Sequence, residues 1–392
     1  MVKLAVDGGP KACPPGTFSS RGLFGTEERD AAVAMFDEAI ASGGVIGYNG
    51  REELAYEKEF AEYMGGGFVD GVNSGTTALY CAVGALKLRP GSEVVVPPIT
   101  DPGGCMPIAL HNLIPVPADC APGTYNAGAE QIEAAITEHT SAIVVAHIAG
   151  EPCDMGPIMA VARKYGLPVV EDCAQAHGAR YNGQLAGTIG DIAAISTMSG
   201  KHHASGPQGG LVFSKSEALI QECKRVSDRG KPFFIEGPTG NAGGNVRAGL
   251  NLNSNDLSAA IGRVQLRKLE AAVAVRREVA AGVAAGLQKA GCVATKLGFW
   301  PEESNPSHWF LRIHIDAGKL ATGKTKLDFA AAVSAEGVGV AAEYRYIVPE
   351  MPWFINKNVF PGSDLPWSLP EYTGDAGSRD WEMPNAVSKA FL

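Results

Sequence analysis

The chain has 392 residues, 45% hydrophobic and 19% charged, enough length and apolar content for a globular protein of two domains with a sizeable buried core. Its net charge of -9 is spread along the sequence, and no basic cluster interleaved with aromatics tracks a phosphate backbone, which argues against nucleic acid as a partner. No stretch reaches the roughly 18 apolar residues of a membrane helix and the N-terminus lacks a signal-peptide pattern, so the expectation is a cytoplasmic protein with no membrane partner.

Apolar positions recur at helical spacing from Thr26 to Ala41 and again from Arg51 to Met64. The short apolar run Phe68–Val72 then leads into Asn73-Ser74-Gly75-Thr76-Thr77 and a helical pattern through Leu86, a strand, a turn and a helix. The order repeats: strand Glu93–Val96, helix Cys105–Leu110, strand Ile114–Pro117, helix Ala129–Thr137, strand Ala142–His147, helix Ile158–Tyr165 and strand Leu167–Glu171. Continuous apolar strands alternating with helices predict an α/β fold, with a parallel sheet covered on both faces. Ligands of such sheets sit beyond the carboxyl ends of the strands, so the turns are where chemistry is sought. A loop rich in Gly and Asn precedes a long helix from Asp256 to about Ala285, and Trp309–Ile315 reads as a strand in a different setting. A domain boundary is placed there, giving residues 1–255 as a large domain with the N-terminal helices and residues 256–392 as the linking helix and a smaller α+β domain. The eight cysteines are scattered singly with no C-x-x-C pair, so they read as buried thiols and no metal site is expected.

Two carboxylates, Glu171 and Asp172, close a buried strand where open α/β sheets bind ligands. Taken alone they suit a helix N-cap. Twenty-nine positions after Asp172 stands Lys201, in a run of small and polar residues that follows the apolar strand Ile192–Ser196. Taken alone it suits a solvated surface lysine. Together the two fit a different chemistry: a lysine that forms a Schiff base must lie near a strand end in a partly desolvated pocket, where its amine loses a proton more readily. Pyridoxal phosphate also needs a carboxylate at its pyridinium nitrogen and a helix N-terminus with hydroxyls for its phosphate. Asp172 and the Ser74-Gly75-Thr76-Thr77 turn are the candidates for these needs.

The segment Glu171-Asp172-Cys173-Ala174-Gln175-Ala176-His177-Gly178-Ala179, followed by Gly187-x-x-Gly190-Asp191 and Ser196-x-x-x-x-Lys201-His202, resembles the DegT/DnrJ/EryC1/StrS group of sugar aminotransferases, and the likeness extends over nearly the whole chain. The resemblance implies the fold-type I architecture of pyridoxal-phosphate enzymes, a large domain with a mostly parallel sheet of seven-stranded type and a small α+β domain. It implies that Asp172 contacts the pyridine nitrogen, that Gln175 lies close to the cofactor ring, that Lys201 forms the internal aldimine and that Ser196 touches the phosphate. Ser74-Gly75-Thr76-Thr77-Ala78-Leu79 is similar to the family's phosphate-binding turn, which implicates Gly75, Thr76 and Thr77. The stretch from Gly249 through Asn251 and Asp256 to Leu266 is similar to the one whose asparagine reaches the phosphate of the neighbouring subunit, which makes Asn251 part of a shared site in a homodimer.

Three departures from the family pattern stand out. Thr100 is followed by Asp101-Pro102-Gly103 where the family places a ring-stacking aromatic. Gly206-Pro207-Gln208-Gly209-Gly210 is one residue longer than the usual glycine segment, and Asn253 replaces an arginine. His177 and His202 are read either as satisfied structural residues or as substrate contacts, and Tyr344, Arg345 and Tyr346 either as a solvated face or as pocket residues, with the arginine holding a donor carboxylate. The segment Met383-Pro384-Asn385-Ala386 precedes a further terminal stretch in relatives, which implies a small domain incomplete at Leu392. The function implied is transamination from glutamate or glutamine to a keto sugar, nucleotide-linked, or a cyclitol. The rivals are a dehydratase of the same family, which typically has histidine in place of the lysine, and a non-catalytic sensor or partner-binding subunit.

Overall fold

In the computed structural model the described residues are 3–18, 23–232, 244–289, 297, 301–302, 304–315, 318, 320–377, 381 and 383. The expectation for the terminal segment from Pro384 onward lies outside them. Two helices, α1 (Thr26–Ser42) and α2 (Arg51–Tyr63), precede the sheet. The strands β1 (Phe68–Val72), β2 (Glu93–Val96), β3 (Ile114–Pro117), β4 (Thr140–Ala146), β5 (Val169–Asp172), β8 (Ile192–Ser196) and β9 (Gly210–Ser214) form one sheet in the order β1-β9-β8-β5-β4-β2-β3. Pairing is parallel from β3 to β8, and β9 runs antiparallel to both β8 and β1. Strand β1 therefore points the same way as β8, and the carboxyl ends of β1, β2, β4, β5 and β8 share one edge.

Side chains on both sheet faces are buried, as the continuous apolar strands predict. On β8, Ile192 and Ala194 join the larger cluster, which takes in Leu79 of α3 (Gly75–Ala85), Ile108 of α4 (Met106–Leu110), Ile132 of α5 (Ala129–Ala135) and Ile158 of α6 (Met155–Tyr165). Ala193 and Ile195 join the opposite cluster with Tyr56, Phe60, Phe213, Leu266 and Leu269, beneath α2 and the long α8 (Asp256–Lys289). Gly262 is where α8 crosses α2: a Cβ there would come 2.6 Å from the Tyr56 ring, so only glycine allows the approach. Helix α7 (Glu217–Ser227) packs on α3. The short strands β6 (Arg180–Tyr181) and β7 (Gln184–Leu185) form a separate three-stranded sheet with β10 (Ser304–Asn305). Two further helices follow, α9 (Lys326–Ala335) and α10 (Pro352–Ile355).

The strand expected over Trp309–Ile315 is absent; Ile313 makes one isolated bridge to Leu297. The segment is fixed by individual contacts instead of a ladder. Trp309 N donates to Ala149 O, and the buried Arg312 is ion-paired with the buried Glu151.

Candidate active site

A cavity of about 240 Å³ opens at the shared carboxyl edge of the sheet. Asp172 reaches it from the end of β5 and Lys201 from the loop after β8, which holds its shape through Thr197 N to Gly209 O and Lys201 N to Met198 O. Lys201 is only 7% exposed. Its ammonium lies 4.0 Å from the centroid of the Trp309 ring. Ser196, at the last position of β8, and Gln175 line the same cavity.

Helix α3 aims its N-terminus here, with Ser74, Gly75 and Thr76 in the wall. Ser74 caps the helix by accepting from Thr77 N, and the Thr77 hydroxyl bonds back to Ser74 and to Asn73. The first N–H groups of a helix have no intrahelical partner, so this corner suits an anion. Gly75 presses against Ser196, where a Cβ would stand 2.5 Å from the serine Cβ. At the opposite wall Gly104 approaches Thr100 and Asp172 so closely that a Cβ would lie 2.1 Å from the Thr100 hydroxyl and 3.0 Å from the aspartate Oδ2. Both glycines keep this space open.

The electrostatics separate the two acids of β5. Burial raises the Asp172 pKa from its ordinary value, and the Ala174 N–H (2.9 Å to Oδ1) with the charge of Lys201 offset only part of the rise. Burial also acts on Glu171, but hydrogen bonds from His147, Gly190 N and Gly187 N outweigh it and hold its pKa low. His147 Nδ1 accepts from Cys153 N, so its hydrogen sits on Nε2 and points at Glu171 Oε2, 3.0 Å away. With both ring nitrogens of His147 engaged and Glu171 accepting four bonds, these two buried residues are tied into a hydrogen-bonded network beside Cys173.

Six of the sequence candidates, Gly75, Thr76, Asp172, Gln175, Ser196 and Lys201, line one cavity. Tyr344 stands one bond behind, its hydroxyl accepting from Gln175 Nε2 at 3.1 Å, while Gln175 Oε1 accepts from Ala149 N. Thr77 serves the helix cap. His177 and His202 are buried among other rings outside the cavity lining, with centroids 5.4 Å apart. His202 Nε2 donates to Ser307 O, and burial with the neighbouring His203, His202 and Lys201 pushes the His177 pKa well down. Asn251 is exposed, outside the lining, and accepts from Asn253 Nδ2. Arg345 is exposed and also outside it. Asp101 lines the cavity in the place expected of an aromatic. Sequence reading passed over His147, Met198 and Trp309. The end of β4 could have flagged His147; no local signal points to Trp309, which arrives from a distant segment.

These residues fit pyridoxal phosphate: a buried amine, a half-buried carboxylate and a glycine-cleared helix N-terminus face one space, and the architecture is that of the pyridoxal-phosphate-dependent aminotransferases. An aminotransferase from Psychrobacter cryohalolentis superposes with a TM-score of 0.76 at 28% identity, covering 89% of this chain and 90% of that one. The model of the DegT/DnrJ/EryC1/StrS aminotransferase family matches residues 26–368, and the chain belongs to that family. GDP-perosamine synthase of Caulobacter vibrioides is 34% identical over 69% of each chain. A dTDP-4-dehydro-2,6-dideoxy-D-glucose 3-dehydratase of Saccharopolyspora spinosa is 32% identical, over 74% of this chain and 68% of its own. For three further relatives, 35–38% identical, the match covers 40–62% of their length.

Proposed function

We propose that this aminotransferase moves an amino group from glutamate or glutamine to the ketone of a sugar, nucleotide-linked, or of a cyclitol, with pyridoxal phosphate held between Lys201 and Asp172. The observation that carries the reading is the presence of this buried amine and this half-buried carboxylate in the wall of a single cavity. When bound, the cofactor supplies an electron sink that makes a neighbouring C–H acidic. Lys201 is the group that attaches the cofactor and, once released, takes and returns a proton within the cavity. Asp172 faces the ring nitrogen. Its single backbone donor, Ala174 N, leaves Oδ2 available for that contact. Gln175, fixed at both ends of its amide by Ala149 N and Tyr344, packs near the ring. Gly75, Thr76 and Ser196 hold the phosphate, with Thr77 setting the turn that presents them.

Asn251 is assigned to the partner subunit's phosphate, which makes the protein a homodimer with shared active sites; its exposure outside its own cavity supports this. Tyr344 and Arg345 are assigned to the substrate side and His177 and His202 to the support of the Lys201 loop. Residues 1–255 and 256–392 are taken as the large and small units. A cytoplasmic location is assigned; among the described residues no helix is long and apolar enough to cross a membrane. GDP-perosamine synthase supports a keto-sugar nucleotide as acceptor. The dehydratase relative represents the rival chemistry, against which the buried Lys201 speaks.

The test is the pair of half-reactions. Glutamate or glutamine should bleach the cofactor's visible band stoichiometrically, and one member of a panel of keto-sugar nucleotides and inososes should restore it. Persistence of the band with every amino donor would leave a sensor or a partner-binding subunit.

A further inference from the structure

The surroundings of Trp309 show more construction than a packing contact requires. Its ring stands under the Lys201 ammonium at 4.0 Å, on a residue that does not itself line the cavity. Its Nε1–H donates to Gly200 O at 3.1 Å, which ties the ring to the residue before the lysine. Its backbone N–H donates to Ala149 O at 2.8 Å and its carbonyl accepts from Arg276 of α8. Arg276 also bonds His308 O, and Arg277 bonds Pro306 O. The segment is thus clamped between the long helix and the turn after β4.

Backbone strain gathers at the same contact. Ala149 (φ 63°) and His308 (φ 49°) both occupy the left-handed region that side chains disfavour. Gly150 (φ 81°) lies so near that a Cβ would be 2.7 Å from His308 N. Such conformations persist only where surrounding contacts over-determine them, and they collect where a side chain must be aimed. What these contacts aim is the indole face, and the electron-rich face of tryptophan attracts a cation more strongly than the other aromatic side chains do.

We propose that Trp309 is a positioning residue for Lys201: its ring is a platform that receives the lysine ammonium whenever the amine is not covalently engaged, keeps it at the cavity wall and favours its protonated form. The inference rests on the reading of Lys201 as the cofactor's lysine. Lys201 must alternate between a neutral nucleophile and a proton carrier; Asp172 and Asp101 in the cavity wall and the neighbouring His177 also act on its charge, and a fixed quadrupole beside it shifts the balance without a further negative charge in the cavity. Removing the ring's attraction disfavours the ammonium, so the amine becomes reactive at lower pH.

The experiment reads the protonation of Lys201 directly, in the full-length protein freed of cofactor. The pH midpoint for its labelling by cyanate is followed by peptide mass spectrometry, with Lys164 as an exposed internal reference. A cation–π contact of ordinary strength corresponds to a fall of about 0.5–1.5 pH units in Trp309→Leu. Trp309→Phe, which keeps a ring but not the bond to Gly200, should fall less. Replacement of all tryptophans by 5-fluorotryptophan keeps the shape and weakens the ring face, so it should also lower the midpoint, and it covers the case in which Trp309→Leu does not fold. An unchanged Lys201 midpoint in the fluorinated protein overturns the platform, because pure packing is blind to ring electrostatics. If borohydride fixes the cofactor to another lysine while the midpoint still shifts, the assignment of Lys201 fails and the platform stands.

Discussion

Glu171 and Asp172 are consecutive residues at the end of one strand, and their surroundings are opposed. Glu171 is fully buried and accepts from His147 Nε2 and from the backbone N–H groups of Gly187, Ile189 and Gly190, so every direction around its carboxylate is used. Asp172 turns to the other side of the strand end, into the cavity, and has Ala174 N as its one hydrogen-bond donor in the backbone. The pKa of the first is held low and that of the second is raised. A satisfied carboxylate holds loops together. An under-satisfied one, kept that way by Gly104 and facing a lysine, is ready for a ligand that the protein does not itself contain.

That contrast can be broken by substitution. The largest effect expected is on Lys201→Ala, with transamination reduced on the order of 10^4-fold or more and the melting temperature nearly unchanged, checked by half-reaction kinetics and calorimetry. Asp172→Asn should lose roughly 10^2–10^3-fold in kcat/KM, with the fold intact, because it removes a charge from the site while its Oδ1 can still accept from Ala174 N. Glu171→Ala should do the reverse. It leaves three backbone N–H groups and an imidazole without their acceptor, a loss of about 3 kcal/mol or more in chemical denaturation. If Glu171→Ala were as stable as the parent, or Asp172→Asn unfolded, the division between the two acids would be wrong.

A smaller effect sharpens the comparison from a second buried carboxylate group. Glu53, Glu57 and Asp70 are buried around Lys224, Asp256 is buried beside Glu53, and Glu53 Oε1 has no hydrogen-bond partner. Burial, together with the charges of Glu57 and Asp256, lifts the Glu53 pKa to about 7 against a single opposing bond from Asn49 N. The folded state therefore binds a proton that the unfolded state has lost, and stability falls as pH rises from the ordinary Glu value of 4.5 to about 7. Glu53→Gln should be indistinguishable from the parent near pH 4 and more stable above pH 7, which pH-dependent melting checks. Equal pH slopes for the two proteins would count against a protonated Glu53.

Much of this site was legible because the residues that build it sit at strand ends. Asp172, Ser196, Lys201 and the Ser74–Thr76 turn follow apolar runs whose type and direction are set locally, so their convergence follows from parallel pairing. The same logic gave the alternating helices and strands and the covered sheet. It did not give β9, whose apolar Leu211–Phe213 run is too short to announce its antiparallel direction, nor the fate of Trp309–Ile315, where β-branched and aromatic residues suggested a strand. There Trp309 is held through its indole N–H by Gly200 O and through its backbone N–H by Ala149 O, and Arg312 by Glu151, contacts between segments that sequence spacing does not relate. Thr77 illustrates a finer limit. Its hydroxyl has the right address for a phosphate but is taken up by the Ser74 cap, a competition that only the atomic arrangement reveals.

The central claim is that one lysine and one carboxylate flank a single cofactor. Borohydride reduction of the purified protein loaded with pyridoxal phosphate, followed by peptide mapping, tests it most directly. The account predicts stoichiometric labelling at Lys201 alone, with weakened cofactor retention in Asp172→Asn. Label on any other lysine, or undiminished retention in the asparagine variant, would contradict it.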